Sequence, residues 1–343
     1  MSAAPIHISP HAPAEAQGAV LDIRNLVVEF PTRRGILTAI RGIDLTIKRG
    51  EILGVVGESG AGKSLTGAAV IGLLESSGRV AEGEIHVCGR RIDNLPLREM
   101  QKLRGRTIGA IFQDPLTSLN PLLTVGDQLI ETMRVHLPLS RAQAANRAIQ
   151  LLQEVGIPSP ELRITQYPHQ FSGGMRQRVV IALALCAEPE LVIADEPTTA
   201  LDVSIQAQIT ALLKRVCRDR GTAMMLITHD MRVIAETADR VAVMYAGRIV
   251  EIGPVASIIR APRHPYTKGL IGSIPSLTDR RERLVQIDGA MPRHNAMPTG
   301  CAFHPRCRFT SEQCRNDRPP LLSAGTSEAA CWHLDREEVS HVA

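Results

Sequence analysis

The sequence predicts an α/β fold wound around a parallel sheet. Three observations carry that prediction. Apolar strand-like runs alternate with helical periodicity along much of the chain, the pattern of strand–helix–strand units. A glycine-rich segment, Gly57-Glu58-Ser59-Gly60-Ala61-Gly62-Lys63-Ser64, joins a short apolar run to a helix. A second apolar run, Leu191-Val192-Ile193-Ala194, ends in the carboxylates Asp195 and Glu196. Carboxyl ends of parallel strands face the ligand crevice in such sheets.

Taken in order, residues from about 20 to 47 alternate as strands do: Leu21, Ile23, Leu26 and Val28, then Leu37, Ile40, Ile43, Leu45 and Ile47. The turn-rich Pro31-Thr32-Arg33-Arg34-Gly35 connects the two segments. Residues 52–56 form a short buried strand, followed by the glycine-rich loop and a helix over about 63–74. Strands follow near 84–87 and 107–112. A mainly helical stretch from about 125 to 166, punctuated by Pro138, Pro158 and Pro160, reads as an insertion. From Gly174 onward the order is helix, strand (191–194), helix (203–220), strand (223–228), helix, and strands at 240–244 and 248–251. Beyond about Pro254 the pattern weakens into a Pro-, Arg- and Cys-rich extension. The expected division is a disordered leader (1–19), a main domain (20–255) containing a helical subdomain (about 125–175), and a small extension (256–343).

Bulk properties narrow the function classes. The 343 residues are 44% hydrophobic and 22% charged, as in soluble globular proteins. Only 3% are aromatic, too few for repeated base stacking, so no nucleic-acid partner is expected. Of the net charge of +4, residues 260–343 supply +3, with 12 Lys/Arg against 9 Asp/Glu; a solvated basic surface accounts for this. The first twenty residues hold no Lys or Arg and no apolar core of a secretory signal. The longest apolar run, residues 179–187, is far short of the roughly 20 residues that span a bilayer. The chain is therefore expected in the cytoplasm unless another protein holds it at a membrane. Seven cysteines, an odd number, argue against a disulfide scaffold.

The chemistry-bearing motifs begin with residues 57–64, which fit G-x-x-x-x-G-K-[ST] between a strand and a helix. Gly57, Gly60 and Gly62, with Glu58, Ser59 and Ala61 between them, let backbone N–H groups curl around phosphates. The following helix N-terminus favours the anion. Lys63 is expected on the β- and γ-phosphates and the Ser64 hydroxyl on magnesium. Asp195 is expected to hold the magnesium shell and Glu196 to polarise the attacking water. Gln113, after one strand, is placed to touch both magnesium and that water. His229, after Met225-Leu226-Ile227-Thr228, is a candidate to donate to the γ-phosphate; for Gln113 and His229 alike, an ordinary polar residue after a strand is the alternative. Ser172-Gly173-Gly174-Met175 opens a helix, with Ser172 as its cap and two glycines admitting close approach of a phosphate. A chain that already has one phosphate cradle gains from a second anion-binding helix start when it closes over nucleotide held by a partner subunit. A plain helix cap is the alternative.

With these residues in view, the chain resembles the nucleotide-binding subunit of an ABC transporter over about residues 20–255. It carries a Walker A loop (57–64), Q-loop (Gln113), signature (172–175), Walker B (191–196), D-loop (Ala200-Leu201-Asp202) and H-loop (His229). Phe171-Ser172-Gly173-Gly174-Met175 departs from the commoner L-S-G-G-Q in the way usual for oligopeptide and dipeptide importer ATPases. The run Phe112-Gln113-Asp114-Pro115-Leu116 and the segment His264-Pro265-Tyr266-Thr267-Lys268-Gly269-Leu270 resemble that subgroup too. The resemblance implies a P-loop NTPase cassette with an antiparallel β subdomain and a helical insertion. It implies two such subunits sandwiching two ATP molecules, Asp202 near the shared nucleotide, and Glu196 as base. The second ATPase is a copy or a paralogue. Two membrane-embedded permease subunits and, indirectly, an extracytoplasmic substrate-binding protein complete the expected assembly, at the cytoplasmic face of the inner membrane. Peptides are the expected cargo, with nickel complexes or glutathione as alternatives, and a soluble non-transport ATPase as a third. Phe30 sits where the family stacks a ring on adenine; a buried strand aromatic is the alternative.

Cys301, Cys307, Cys314 and Cys331 crowd into the extension, spaced C-x5-C-x6-C-x16-C. Four thiolates suffice for a [4Fe–4S] cluster, and the resemblance to cluster-binding members makes that the expected occupant. Zinc, with His304 and His333 as spare ligands, and four metal-free thiols are the alternatives.

Overall fold

The computed structural model describes residues 18–33, 35–199, 201–273 and 287–334. The chain opens with two long antiparallel strands, β1 (Ala19–Thr32) and β2 (Gly35–Lys48), then β3 (Ile52–Val56) and helix α1 (Lys63–Val70). Next come β4 (Arg79–Val87), β5 (Arg90–Arg91), α2 (Leu97–Leu103) and β6 (Ile108–Ile111). A helical insertion follows: α3 (Pro115–Ser118), α4 (Val125–His136), α5 (Arg141–Glu154), α6 (Pro160–Arg163) and α7 (Gly173–Leu185). The second half alternates β7 (Leu191–Asp195), α8 (Val203–Arg220), β8 (Ala223–Ile227), α9 (Met231–Thr237), β9 (Arg240–Tyr245) and β10 (Arg248–Pro254). The extension adds α10 (Val255–Arg260), α11 (Pro265–Gly272), α12 (Glu312–Asn316), β11 (Leu322–Ala324) and β12 (Ser327–Ala329). The expected leader falls almost wholly outside the described residues.

Two sheets organise these elements. One has the order β2-β1-β4-β5 and is antiparallel. The other runs β11-β12-β10-β9-β3-β8-β7-β6, with parallel pairing from β9 to β6. Its parallel strands are buried on both faces, which is why they read as unbroken apolar runs. In β3, Ile52 and Val56 enter one core while Leu53 and Val55 enter the other. In β8, Met224 and Leu226 face the first core and Met225 and Ile227 the second. The first core takes the insertion through Val125, Leu129, Leu151 and Leu152. The second takes the antiparallel sheet through Leu21, Ile23, Ile40 and Ile47.

Local signals set the helix boundaries. Ser140 and Gln143 form a reciprocal capping box at the start of α5, and Thr124 caps α4 through the Asp127 N–H. Helix α1 stops at Val70, earlier than periodicity predicts, because Gly72 adopts φ +65° and turns the chain away. The extension is continuous with the main sheet, since β12 pairs with β10 through Glu251–Ala329 and Ile252–Glu328.

Candidate nucleotide site

Four neighbouring strands, β3, β8, β7 and β6, deliver the site from their carboxyl ends. The glycine-rich loop follows β3, His229 follows β8, Asp195 ends β7, and Gln113 follows β6. Parallel pairing therefore gathers on one edge residues that are far apart in sequence.

The loop is shaped for an anion. Gly57 has φ +153°, and a Cβ there would lie 2.2 Å from the Met244 carbonyl oxygen, so only glycine fits. Helix α1 begins without a side-chain cap, which leaves its first N–H groups free to meet phosphate oxygens. Ser59, Gly60 and Ser64 are exposed along the loop, while Ala61 and Lys63 are buried. Lys63 Nζ donates to the carbonyls of Gly57 (2.8 Å) and Glu58 (3.1 Å). Burial lowers its pKa, opposed by the carboxylates of Glu196, Asp195 and Glu58. Ser64 Oγ donates to Asp195 at 2.9 Å, bringing together a hydroxyl and a carboxylate of the kind that holds magnesium. Burial raises the Asp195 pKa, and the Ser64 hydrogen bond offsets part of that rise.

Glu196 is the hub. Its carboxylate accepts from Thr199 Oγ1 (2.8 Å) and Gln113 Nε2 (3.2 Å), and its other oxygen meets His229 Nδ1 at 3.0 Å. Burial pushes its pKa up, but the Thr199 and His229 hydrogen bonds outweigh this and hold it below the usual carboxylate range. Its backbone sits at φ +47°, a left-handed conformation that costs a non-glycine residue about 1–3 kcal/mol and recurs at functional sites. The amide of Glu196 donates to the Ile227 carbonyl at 2.8 Å, anchoring that turn to β8.

The remaining candidates stand apart from this hub. Ser172 accepts from the Met175 N–H at 3.3 Å and caps α7; Ser172 and Gly173 are exposed. A Cβ at Gly174 would meet Ile205 Cγ2 at 2.8 Å, so a larger residue there needs Ile205 to shift. Asp202 precedes α8, exposed and without a capping bond; Ala200 lies outside the described residues. The Phe30 ring lies over Gly78, packed against the second core.

Several contacts escaped the sequence reading. Thr199 is one, and its three-residue offset from Glu196 is the signal that would have found it. The others come from the extension. Tyr266 Oη accepts from the Glu58 N–H (2.8 Å), Arg306 pairs with the Glu58 carboxylate (2.9 and 3.1 Å), and His294 Nε2 contacts the Gly60 carbonyl (3.2 Å). Nothing local in the sequence announces contacts spanning more than 200 residues.

The cysteine expectation requires correction. Among the described residues, no group of three or more His, Cys, Asp or Glu side chains is arranged to hold a metal ion. The iron–sulfur expectation for Cys301, Cys307, Cys314 and Cys331, and zinc in its place, is overturned by this finding. The thiols are instead drawn into local contacts. Ser311 Oγ donates to Cys314 Sγ (3.3 Å), which lies 3.6 Å from His333 Nε2, and the His333 N–H donates to Cys331 Sγ (3.4 Å). Burial pushes the Cys301 thiol up to about 11 and raises Cys307 and Cys331 as well, favouring the protonated form.

Comparison with known proteins agrees with this architecture. The ABC transporter family profile matches residues 40–199, and the profile of the oligopeptide/dipeptide transporter C-terminal region matches residues 250–314. The dipeptide transport ATP-binding protein DppD of Bacillus subtilis is 47% identical over 319 residues, covering 92% of this chain and 95% of the relative. The oligopeptide transport ATP-binding protein OppD of Haemophilus influenzae is 47% identical, covering 91% and 97%. Among solved structures, the dimeric ATP-binding cassette MJ0796, bound to ADP and Pi after hydrolysis, superposes with a TM-score of 0.62. It is 28% identical and covers 68% of this chain and 98% of its own. The profile over residues 40–199, the near-complete coverage of these relatives and the site on the carboxyl edge of the sheet place this chain in the ABC transporter family, among the ATP-binding proteins of dipeptide and oligopeptide transport.

Proposed function

We propose that this chain is the ATP-hydrolysing subunit of a peptide importer, working at the inner face of a membrane as one of two cassettes bound to permease subunits. The observation that carries the reading is the hub at Glu196: an ionised, triply hydrogen-bonded carboxylate beside the Lys63 and Ser64–Asp195 cluster. Ser64 and Asp195 would hold magnesium, with Gln113 beside them. A magnesium ion held there would supply positive charge that offsets charge on the phosphates during transfer. Lys63 exchanges its bonds with the Gly57 and Glu58 carbonyls for phosphate oxygens. Glu196 takes a proton from water as the water oxygen bonds to the γ-phosphorus. The bond from that phosphorus to the β–γ bridging oxygen breaks, and ADP and phosphate result. His229, at hydrogen-bond distance from Glu196, faces the same space and is placed to donate to a γ-phosphate oxygen.

The exposed Ser172–Gly173 helix start supports closure against a second cassette, where these groups would cover the neighbour's nucleotide. MJ0796 is described as dimeric. Permease docking is supported by the insertion, which leaves Leu116, Leu122 and Val135 exposed, Leu122 at 82%; such side chains favour a protein partner over water. Among the described residues no helix is long and apolar enough to cross a membrane. Dipeptides and oligopeptides are the proposed cargo, after the relatives that carry those names.

Glu196→Gln tests the reading. It should retain ATP binding, lose roughly 10²–10⁴-fold in kcat, and accumulate as an ATP-bound dimer in sedimentation velocity. In proteoliposomes with its permeases, the same variant should abolish uptake of a labelled dipeptide. Wild-type turnover in the variant, or full-rate hydrolysis by a strictly monomeric preparation, would remove Glu196 or the dimer from the mechanism.

A further inference from the structure

Between β2, the β9–β10 turn and the extension lies a cavity of about 370 Å³, separate from the nucleotide residues. Three arginines line it, Arg41, Arg248 and Arg318. They come from segments 207 and 70 residues apart, so only the folded extension assembles them. The Nε atoms of Arg41 and Arg248 are shielded from solvent and find no hydrogen-bond partner among the described residues. A polar N–H shut away from water without a partner is costly, and two share this wall. The Arg41 terminal nitrogen donates to the His294 carbonyl at 3.2 Å, which fixes that side chain but leaves its charge uncompensated.

The charges acting on these groups are one another. Burial and then Arg318 lower the Arg41 pKa; burial, Arg318 and Arg41 push Arg248 down to about 10. One carboxylate, Asp44, also lines the cavity, and its Oδ1 accepts from the Asn25 N–H at 2.9 Å. Among the described residues, three positive charges against one negative leave an excess of two. A carboxylate ligand would cancel half of it. A phosphate monoester carries about −1.5 to −2 at pH 7 and offers three acceptor oxygens, which suits three planar guanidinium forks. The rest of the lining includes Phe303, Pro319 and Leu321, apolar surface that a bare ion would not use.

We propose that this cavity binds a small organic phosphate, its dianion held by Arg41, Arg248 and Arg318 and its carbon skeleton against Phe303 and Pro319. The site is distinct from the phosphate cradle at residues 57–64 and exists only where the extension closes over the main sheet.

The test uses the full-length chain carrying Lys63→Ala, which weakens phosphate binding at the glycine-rich loop, and titrates phenyl phosphate in a calorimeter without nucleotide. Saturable binding is expected, weakened at least tenfold by adding Arg248→Gln and likewise by Arg318→Gln. Arg318 is exposed, so the second variant reads the site without disturbing the fold. Inorganic phosphate and benzoate should each bind at least tenfold more weakly than phenyl phosphate. Absence of binding, or affinity unchanged in both arginine variants, would overturn the site. Benzoate equal to phenyl phosphate would overturn the phosphate assignment, and inorganic phosphate equal to it would overturn the organic one.

Discussion

A single side chain, Glu196, shows how this fold tunes one carboxylate. Taking a carboxylate out of water raises its pKa, and the Thr199 and His229 hydrogen bonds, with the charges of His229 and Lys63, more than reverse that. The sign of the resulting pH dependence follows. A depressed folded-state pKa means that the charged form, and the stability it contributes, persists above the unfolded value of about 4.3 and is lost as pH falls below it. Hydrolysis that needs the ionised base should therefore hold level from neutrality down to the ordinary carboxylate range, with its acid limb below that. Thr199→Val removes the shortest of the three hydrogen bonds, at 2.8 Å. One such bond is worth about 1.5 kcal/mol, so the acid limb of kcat should move up by about one pH unit. A kcat–pH profile of both proteins measures this; superimposable limbs would show that Thr199 does not set the base. The two carboxylates and their strand were readable in the sequence, because a buried parallel strand is an apolar run and its end is abrupt. Thr199 was not, because a hydroxyl in a loop has many ordinary uses.

At the level of elements, the loop between β3 and α1 and the segment leading into α11 make opposite demands. The first needs space: Gly57→Ala would drive a methyl group into the Met244 carbonyl. Nucleotide binding should be lost in a fluorescent-ATP titration while the far-ultraviolet spectrum is retained; tight binding would disprove the steric argument. The second needs a neutral imidazole. His264 is fully buried, its Nδ1 accepts the Tyr266 N–H at 3.1 Å, and burial pushes its pKa down to about 3. A base whose folded pKa is depressed contributes stability above its unfolded value, near 6.5, and loses it as pH falls from there toward the folded one. Stability should thus fall by at most about 1.4 kcal/mol per pH unit below 6.5. His264→Asn keeps an acceptor for the Tyr266 amide and should flatten that portion of the slope in urea melts between pH 7 and pH 5. Equal slopes would assign the acid sensitivity elsewhere. Sequence periodicity supplied β1, β2, β3, β7 and β8 because each buries a regular face. It did not supply β11 and β12, three residues each, since strands so short carry almost no period and owe their form to pairing with β10. The cysteine spacing misled for a related reason: crowding in sequence does not fix the direction of four thiols.

Across the whole molecule, the extension and the phosphate loop form one mechanical unit. Arg306 leaves 6% of its side chain exposed and binds both oxygens of Glu58, itself 29% exposed. Burial lowers the Arg306 pKa, but Tyr245 and Glu58 outweigh it, so the guanidinium is held firmly charged. The Tyr266 hydroxyl grips the Glu58 amide, and Tyr245, Tyr266 and Phe303 pack as an aromatic cluster beneath, with centroids 4.7–5.6 Å apart. Glu58 is held from both its backbone and its side chain, which fixes the loop whose amides and Lys63 would meet the phosphates. Arg306→Ala strands the Glu58 carboxylate beside that site. Losing a charge-assisted hydrogen bond costs about 1.5–3 kcal/mol of stability. A loss of about 1 kcal/mol expressed at the loop would weaken ATP binding roughly fivefold. The double variant Arg306→Ala with Glu58→Gln removes the stranded charge and should recover part of the affinity. A purely scaffolding role predicts a lower melting temperature with unchanged ATP affinity in both variants. Titration of fluorescent ATP alongside thermal melts separates the two, and an unaltered Kd in Arg306→Ala would show that the extension props up the fold without tuning the nucleotide site.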